Sequence, residues 1–80
     1  LNQRRSLMFT NVPAQALIKI FTISGILVDE ISINNSPEKG IVHWDMLTRE
    51  GLEIAAGMYL FHIEALATGD QKIGKFAVIK

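Results

Sequence analysis

The residues of this chain with types suited to chemistry are two histidines, His43 and His62, and the carboxylates around them. Imidazoles are common zinc ligands, and Asp45 or Glu64 would have to supply a third ligand on the same face. The histidines stand on two apolar runs joined by one loop, so they would meet only if those runs paired as strands. The preferred reading is two strand histidines at a solvated surface. Asp45 with Glu50, or Glu53 with Glu64, offers the paired carboxylates that glycoside hydrolysis needs as acid and base or nucleophile. Nothing places either pair in a cleft, and an 80-residue chain has little room for one. Asp45, Thr48, Glu50 and Glu53 carry oxygens suited to calcium, but the D-x-D-x-D-G spacing of a dedicated loop is missing. Ser24-Gly25 and Lys39-Gly40 do not make the G-x-x-x-x-G-K-[ST] phosphate loop, and Ser24 lacks a triad context. No catalytic, cofactor-binding or metal-binding set emerges. The expectation is a binding, sorting or structural module, not an enzyme.

Composition narrows the partners. Lys and Arg number 8 and Asp and Glu number 8, so the net charge is zero. Nucleic-acid binding would call for a clustered basic stripe, and a polybasic membrane contact for a similar excess. The apolar runs are too short to span a bilayer. Cysteine is absent, which removes disulfides and thiolate metal sites but does not fix a compartment. The 49% hydrophobic content can supply one core, and residues 1–80 are expected to form a single domain. The chain starts at Leu1, which suggests a processed product or a domain excised from something longer. Gln3-Arg4-Arg5-Ser6 has the look of a twin-arginine signal, but Asn11 and Pro13 interrupt the apolar run that would have to follow.

The elements that must position these residues read as short strands. Residues 6–12 form a first strand closed by Pro13, which cannot donate to a ladder. Residues 16–23 follow, with Ile18, Ile20 and Thr22 facing the core and Leu17, Lys19 and Phe21 facing away. Ser24-Gly25 makes a tight reversal into residues 26–33, where Asp29-Glu30 suggests an outer or edge position. Residues 34–40 (N-N-S-P-E-K-G) are the most loop-like stretch and the best candidate for mobility.

Residues 41–45 read as the central strand, with Trp44 as its large core residue and Asp45 bracing the loop behind it. Residues 46–57 are an ordered loop rather than a helix, because Gly51 and Gly57 break the helical spacing; Ile54 tucks inward. Residues 58–66 alternate, with Tyr59, Phe61, Ile63 and Ala65 on one face. Thr68-Gly69-Asp70 is a hairpin turn into residues 72–80, where Gly74 marks a bulge or a close approach. Counting one more strand at Glu53-Ile54, about seven short strands predict an all-β, antiparallel two-sheet sandwich.

Three blocks in order carry a resemblance: I-K-I-F-T-I-S-G-I-L-V (18–28), G-I-V-H-W-D…G-L-E-I-A-A-G-M-Y-L-F-H-I (40–63) and G-K-F-A-V-I-K (74–80). From Phe9 onward the chain resembles the small immunoglobulin-like (Ig-like) domains at the C-termini of secreted bacterial proteins. These include the sorting domains of the type IX (Por) secretion system and the related Ig-like domain of the flagellar hook-capping protein. The resemblance implies fold-defining roles for Gly25, Trp44, Asp45, Gly51, Gly57 and Tyr59. It implies that Lys75, Phe76, Val78, Ile79 and Lys80 belong to a terminal strand that forms part of a sorting signal. Relatives often carry Gly where Met46 stands and Pro where Ala56 stands.

The implied function is a non-catalytic module of an exported protein, with no cofactor, no nucleic acid and no membrane insertion. Its partners would be the secretion machinery, and its location the medium or the cell surface, reached through the periplasm. The alternative is a structural assembly module of hook-cap, fibre or appendage type that self-associates or packs against neighbouring subunits. A carbohydrate-binding accessory domain is the weakest reading, because most of the six aromatic residues fit the core.

Overall fold

Successive side chains of a strand point to opposite faces, so period-two alternation builds this molecule. The computed structural model describes residues 7–34 and 40–79. The double-arginine segment, most of the turn-rich 34–40 loop and Lys80 lie outside the described residues. Among the described residues six strands form: β1 (Leu7–Phe9), β2 (Ala16–Thr22), β3 (Leu27–Ile33), β4 (Val42–Trp44), β5 (Gly57–Ala65) and β6 (Gln71–Val78). β1 and β4 pair as a two-stranded sheet, and β3-β2-β5-β6 is the order of a four-stranded one. Every pairing is antiparallel. The fold is the all-β sandwich that the alternation predicts.

The core lies between the sheets. β2 turns Ala16, Ile18 and Ile20 inward, each with no exposed surface, while Leu17, Lys19 and Phe21 face the other way. Burying one such isoleucine side chain stabilises the fold by about 1.5–3 kcal/mol. β5 adds Tyr59, Phe61, Ile63 and Ala65, and β6 adds Phe76 and Val78. The small sheet contributes Phe9, Val42 and Trp44 from the opposite side. The aromatic rings interlock: Phe9 meets Phe61 edge-on at 5.2 Å, and Phe76 stacks on Tyr59 at 5.6 Å and meets Trp44 at 6.1 Å.

Three expectations are corrected. Residues 41–45 are not the central strand: only Val42–Trp44 pair, and they do so in the small sheet. A three-residue strand between Gly40 and the Asp45 turn offers too little ladder for two neighbours, and the longer β2 and β5 take the centre. The seventh strand shrinks to one bridge, Leu47 with Glu53, because the backbone between them is spent on a tight turn. Gly74 is a close approach in an unbroken register, not a bulge: a Cβ there would run into the Phe61 ring.

The bulge lies instead in β3. Ile20 faces Asp29 and Phe21 faces Leu27, which leaves Val28 as the extra residue. Parity therefore breaks, and Val28 and Asp29 both turn inward. Val28 joins the core, and the Asp29 carboxylate (Oδ2) accepts the Trp44 indole Nε1–H at 2.8 Å.

Two turns share one design. In the β2–β3 hairpin, Thr22 N–H donates to Ile26 O (2.8 Å), Gly25 N–H to Thr22 O (2.9 Å), and Ile26 N–H to Thr22 Oγ1 (3.0 Å). In the loop after β4 the set recurs at Thr48, Gly51 and Leu52, at 2.7, 2.9 and 3.1 Å. Gly25 and Gly51 hold φ of 96° and 85°, the left-handed conformation that closes a three-residue loop.

Candidate interaction surface

The geometry separates the residues that were candidates for chemistry. His43 lies on β4, opposite Met8, and His62 on β5, between Lys19 and Ile73. Their strands belong to different sheets, and both side chains point away from the interior, so the two imidazoles occupy opposite outer faces. Among the described residues no three His, Asp or Glu side chains stand together as a metal site. Asp45, Glu50 and Glu53 are exposed on the β4–β5 loop, while Glu64 sits on the outer face of the four-stranded sheet, opposite Leu17. An open depression lined by Pro13, Gln15, Asn34, Thr68 and Asp70 has, among the described residues, one ionisable lining residue, Asp70.

The fold-defining residues lie as follows. Trp44 is 2% exposed, and its polar edge is held by Asp29 rather than by its sequence neighbour Asp45. Asp45 Oδ1 accepts the Leu47 N–H at 3.0 Å and so shapes the turn behind the strand. Between them Met46 holds φ of 63°, a left-handed conformation in which a non-glycine residue is uncommon. Its half-buried side chain packs on the core. Gly57, with φ of 150°, opens β5. Tyr59 is buried, and its hydroxyl donates to Ala55 O at 2.6 Å, tying the start of β5 to the preceding corner.

The expected sorting strand is part of the core. In β6, Phe76 faces Tyr59 and Val78 faces Gly57 on the inner side, while Lys75 and Ala77 face Leu60 and Met58 on the outer side. Val78 is 5% exposed and Ile79, just beyond the strand, 79% exposed. Of the β6 residues expected to carry the signal, Lys75 presents its side chain outward.

Sequence reasoning passed over two features. One is the pair of T-x-x-G motifs at 22–25 and 48–51, whose spacing alone would have revealed the repeated turn. The other is the apolar outer face of the four-stranded sheet near the β2–β3 turn. There Phe21 lies between Leu27 and Leu60, with Met58 beside them on β5 and the exposed Ile23 and Ile26 at the turn. Their alternation is clear, but nothing local says that the outer face is apolar until the strands are aligned. The sequence alone offers Met8, Met58 and Leu60 as one exposed patch, but Met8 lies on the small sheet, so the three do not form one surface.

No family model matches the chain, and no curated protein matches it closely enough to count. Among solved structures, the chain is similar to PorZ, an essential bacterial surface component of the type-IX secretion system of human oral-microbiomic Porphyromonas gingivalis. The likeness covers 91% of this chain at a TM-score of 0.74 and 22% identity. It takes in 9% of the PorZ chain, so this chain spans a small part of that protein's length. At this identity the likeness shows a shared fold: the sandwich described above also occurs within a type-IX secretion component.

Proposed function

We propose that this chain is a non-catalytic Ig-like module of a secreted or cell-surface bacterial protein, acting as a sorting or anchoring signal for type IX outer-membrane secretion. The observation that carries this reading is the near-complete superposition on part of PorZ. The site geometry agrees with it. The histidines and carboxylates are dispersed, and the surface features are an apolar sheet face and the regular β6 edge, which suit recognition by another protein.

The test joins residues 1–80 to an exported reporter in a bacterium with a working type IX system. Delivery of the reporter to the surface or medium is expected, and retention in the periplasm would overturn the reading. Deleting residues 75–80 is a poor probe, because it strips Phe76 and Val78 from the core. Lys75→Glu changes the outer surface alone and is the informative variant.

A second reading, a structural assembly module, is favoured by the apolar patch around Phe21 and Leu60. It predicts association that grows with concentration in sedimentation velocity.

A further inference from the structure

The two edges of the four-stranded sheet are built differently. β3 is interrupted by the bulge at Val28, carries Asp29 and Glu30, and has its Val28 carbonyl occupied by the Arg49 N–H at 3.1 Å. Bulges, charges and covering loops are the devices that stop an edge from taking another strand. β6, by contrast, runs through Gln71–Val78 in unbroken register with β5 and contains neither proline nor bulge. Among the described residues one of the two edges is therefore closed and the other open.

The charge on the open edge says what it takes. Gln71–Val78 contains Lys72 and Lys75 and no acid. On the outer face, Lys75 stands opposite Leu60, between the outward Ile73 and Ala77, in the apolar surroundings of Met58 and Phe21. It has no ion-pair partner among the described residues. Lys19, by comparison, faces Glu30 directly across the ladder. Pairing β6 with β6 of a second copy in full register sets Lys75 opposite Gly74 and offers it no carboxylate, since Gln71–Val78 has none. Like charges across a ladder are destabilising and opposite charges stabilising.

We propose that β6 is a strand-addition site for an extended segment of another protein, one that places an acidic side chain beside Lys75 and apolar side chains beside Ile73 and Ala77. The segment extends the sheet through main-chain hydrogen bonds, and its alternate side chains supply the specificity. This inference rests on the reading of the chain as a recognition module and names the chemistry of its partner.

The test uses two eight-residue peptides of alternating threonine and valine, one with a central outward glutamate and one with lysine in its place, added up to millimolar concentration to the isotope-labelled chain. Shifted and exchange-protected amides confined to β6 are expected with the glutamate peptide, and about tenfold weaker binding with the lysine peptide. Lys75→Glu should reverse that preference without changing the melting temperature. A folded chain that binds neither peptide, binds both equally, responds at β3, or dimerises through β6 in their absence would overturn the proposal. Peptide binding by β6 together with a reporter kept in the periplasm would overturn the sorting role and leave the strand-addition site standing.

Discussion

The turns at Thr22–Ile26 and Thr48–Leu52 form a natural controlled comparison within one molecule. Their backbones match bond for bond, yet the residues at their tips do not: Ile23-Ser24 in the first and Arg49-Glu50 in the second. The threonine hydroxyl and the left-handed glycine therefore specify the geometry, and the two tip positions are free of it. That frees the 60% exposed Ile23 from any local structural duty and leaves it as part of the apolar end of the sheet. The second turn is also anchored from outside, since its Arg49 amide donates to Val28 on β3. One turn is held by its own strands; the other is held by the bulge beside the Asp29–Trp44 bond.

The comparison breaks most severely at Trp44, whose ring stands next to that anchor. Trp44→Ala should cost about 3–5 kcal/mol in chemical denaturation, as a large core truncation does. A loss below about 1 kcal/mol would show that the ring does not hold the sheets together.

A smaller effect tests whether the turns are equivalent. A Cβ at Gly25 or Gly51 would touch nothing within 4 Å, so only the left-handed backbone resists alanine. Each substitution should cost about 1–2 kcal/mol. Similar losses in thermal unfolding would confirm that both turns are part of one cooperative unit, whereas a much smaller loss at Gly51 would mark the second turn as opening alone.

The smallest effect is expected from copying one tip onto the other. Ile23→Arg should change stability by no more than about 0.5 kcal/mol, as surface substitutions usually do. A larger loss in the melting curve would show that Ile23 packs against its neighbours after all.

Much of this fold was legible because Lys19 marks the outer side of β2 and so fixes Ile18 and Ile20 inside. The same parity rule gave the inward row of β5 from Tyr59 to Ala65. It failed at Val28, which falls on the outer side by alternation with the inward Ile31 and Ile33 and turns inward because one extra residue in β3 shifts the count; Asp29 keeps their parity and faces the core despite its charge. A bulge is a relation between two strands, and single-strand periodicity cannot contain it. The placement of β4 failed for a related reason, since the residues of 41–45 describe a buried strand equally well in either sheet. Of the interaction surface, the alternation of Phe21, Leu60 and Lys75 was visible. Their meeting on one face required the β2–β5–β6 register.

The Phe76 ring, packed against Trp44, Tyr59 and Phe61, ties β6 to the rest of the core. β6 is the last of the six strands, and until it arrives the inner face formed by the others lacks the ring that joins them. Pairings such as β2 with β5 and β1 with β4 join distant parts of the chain, and such topologies fold slowly. The core around Phe76 is therefore closed only once β6, the last of the six described strands, has docked.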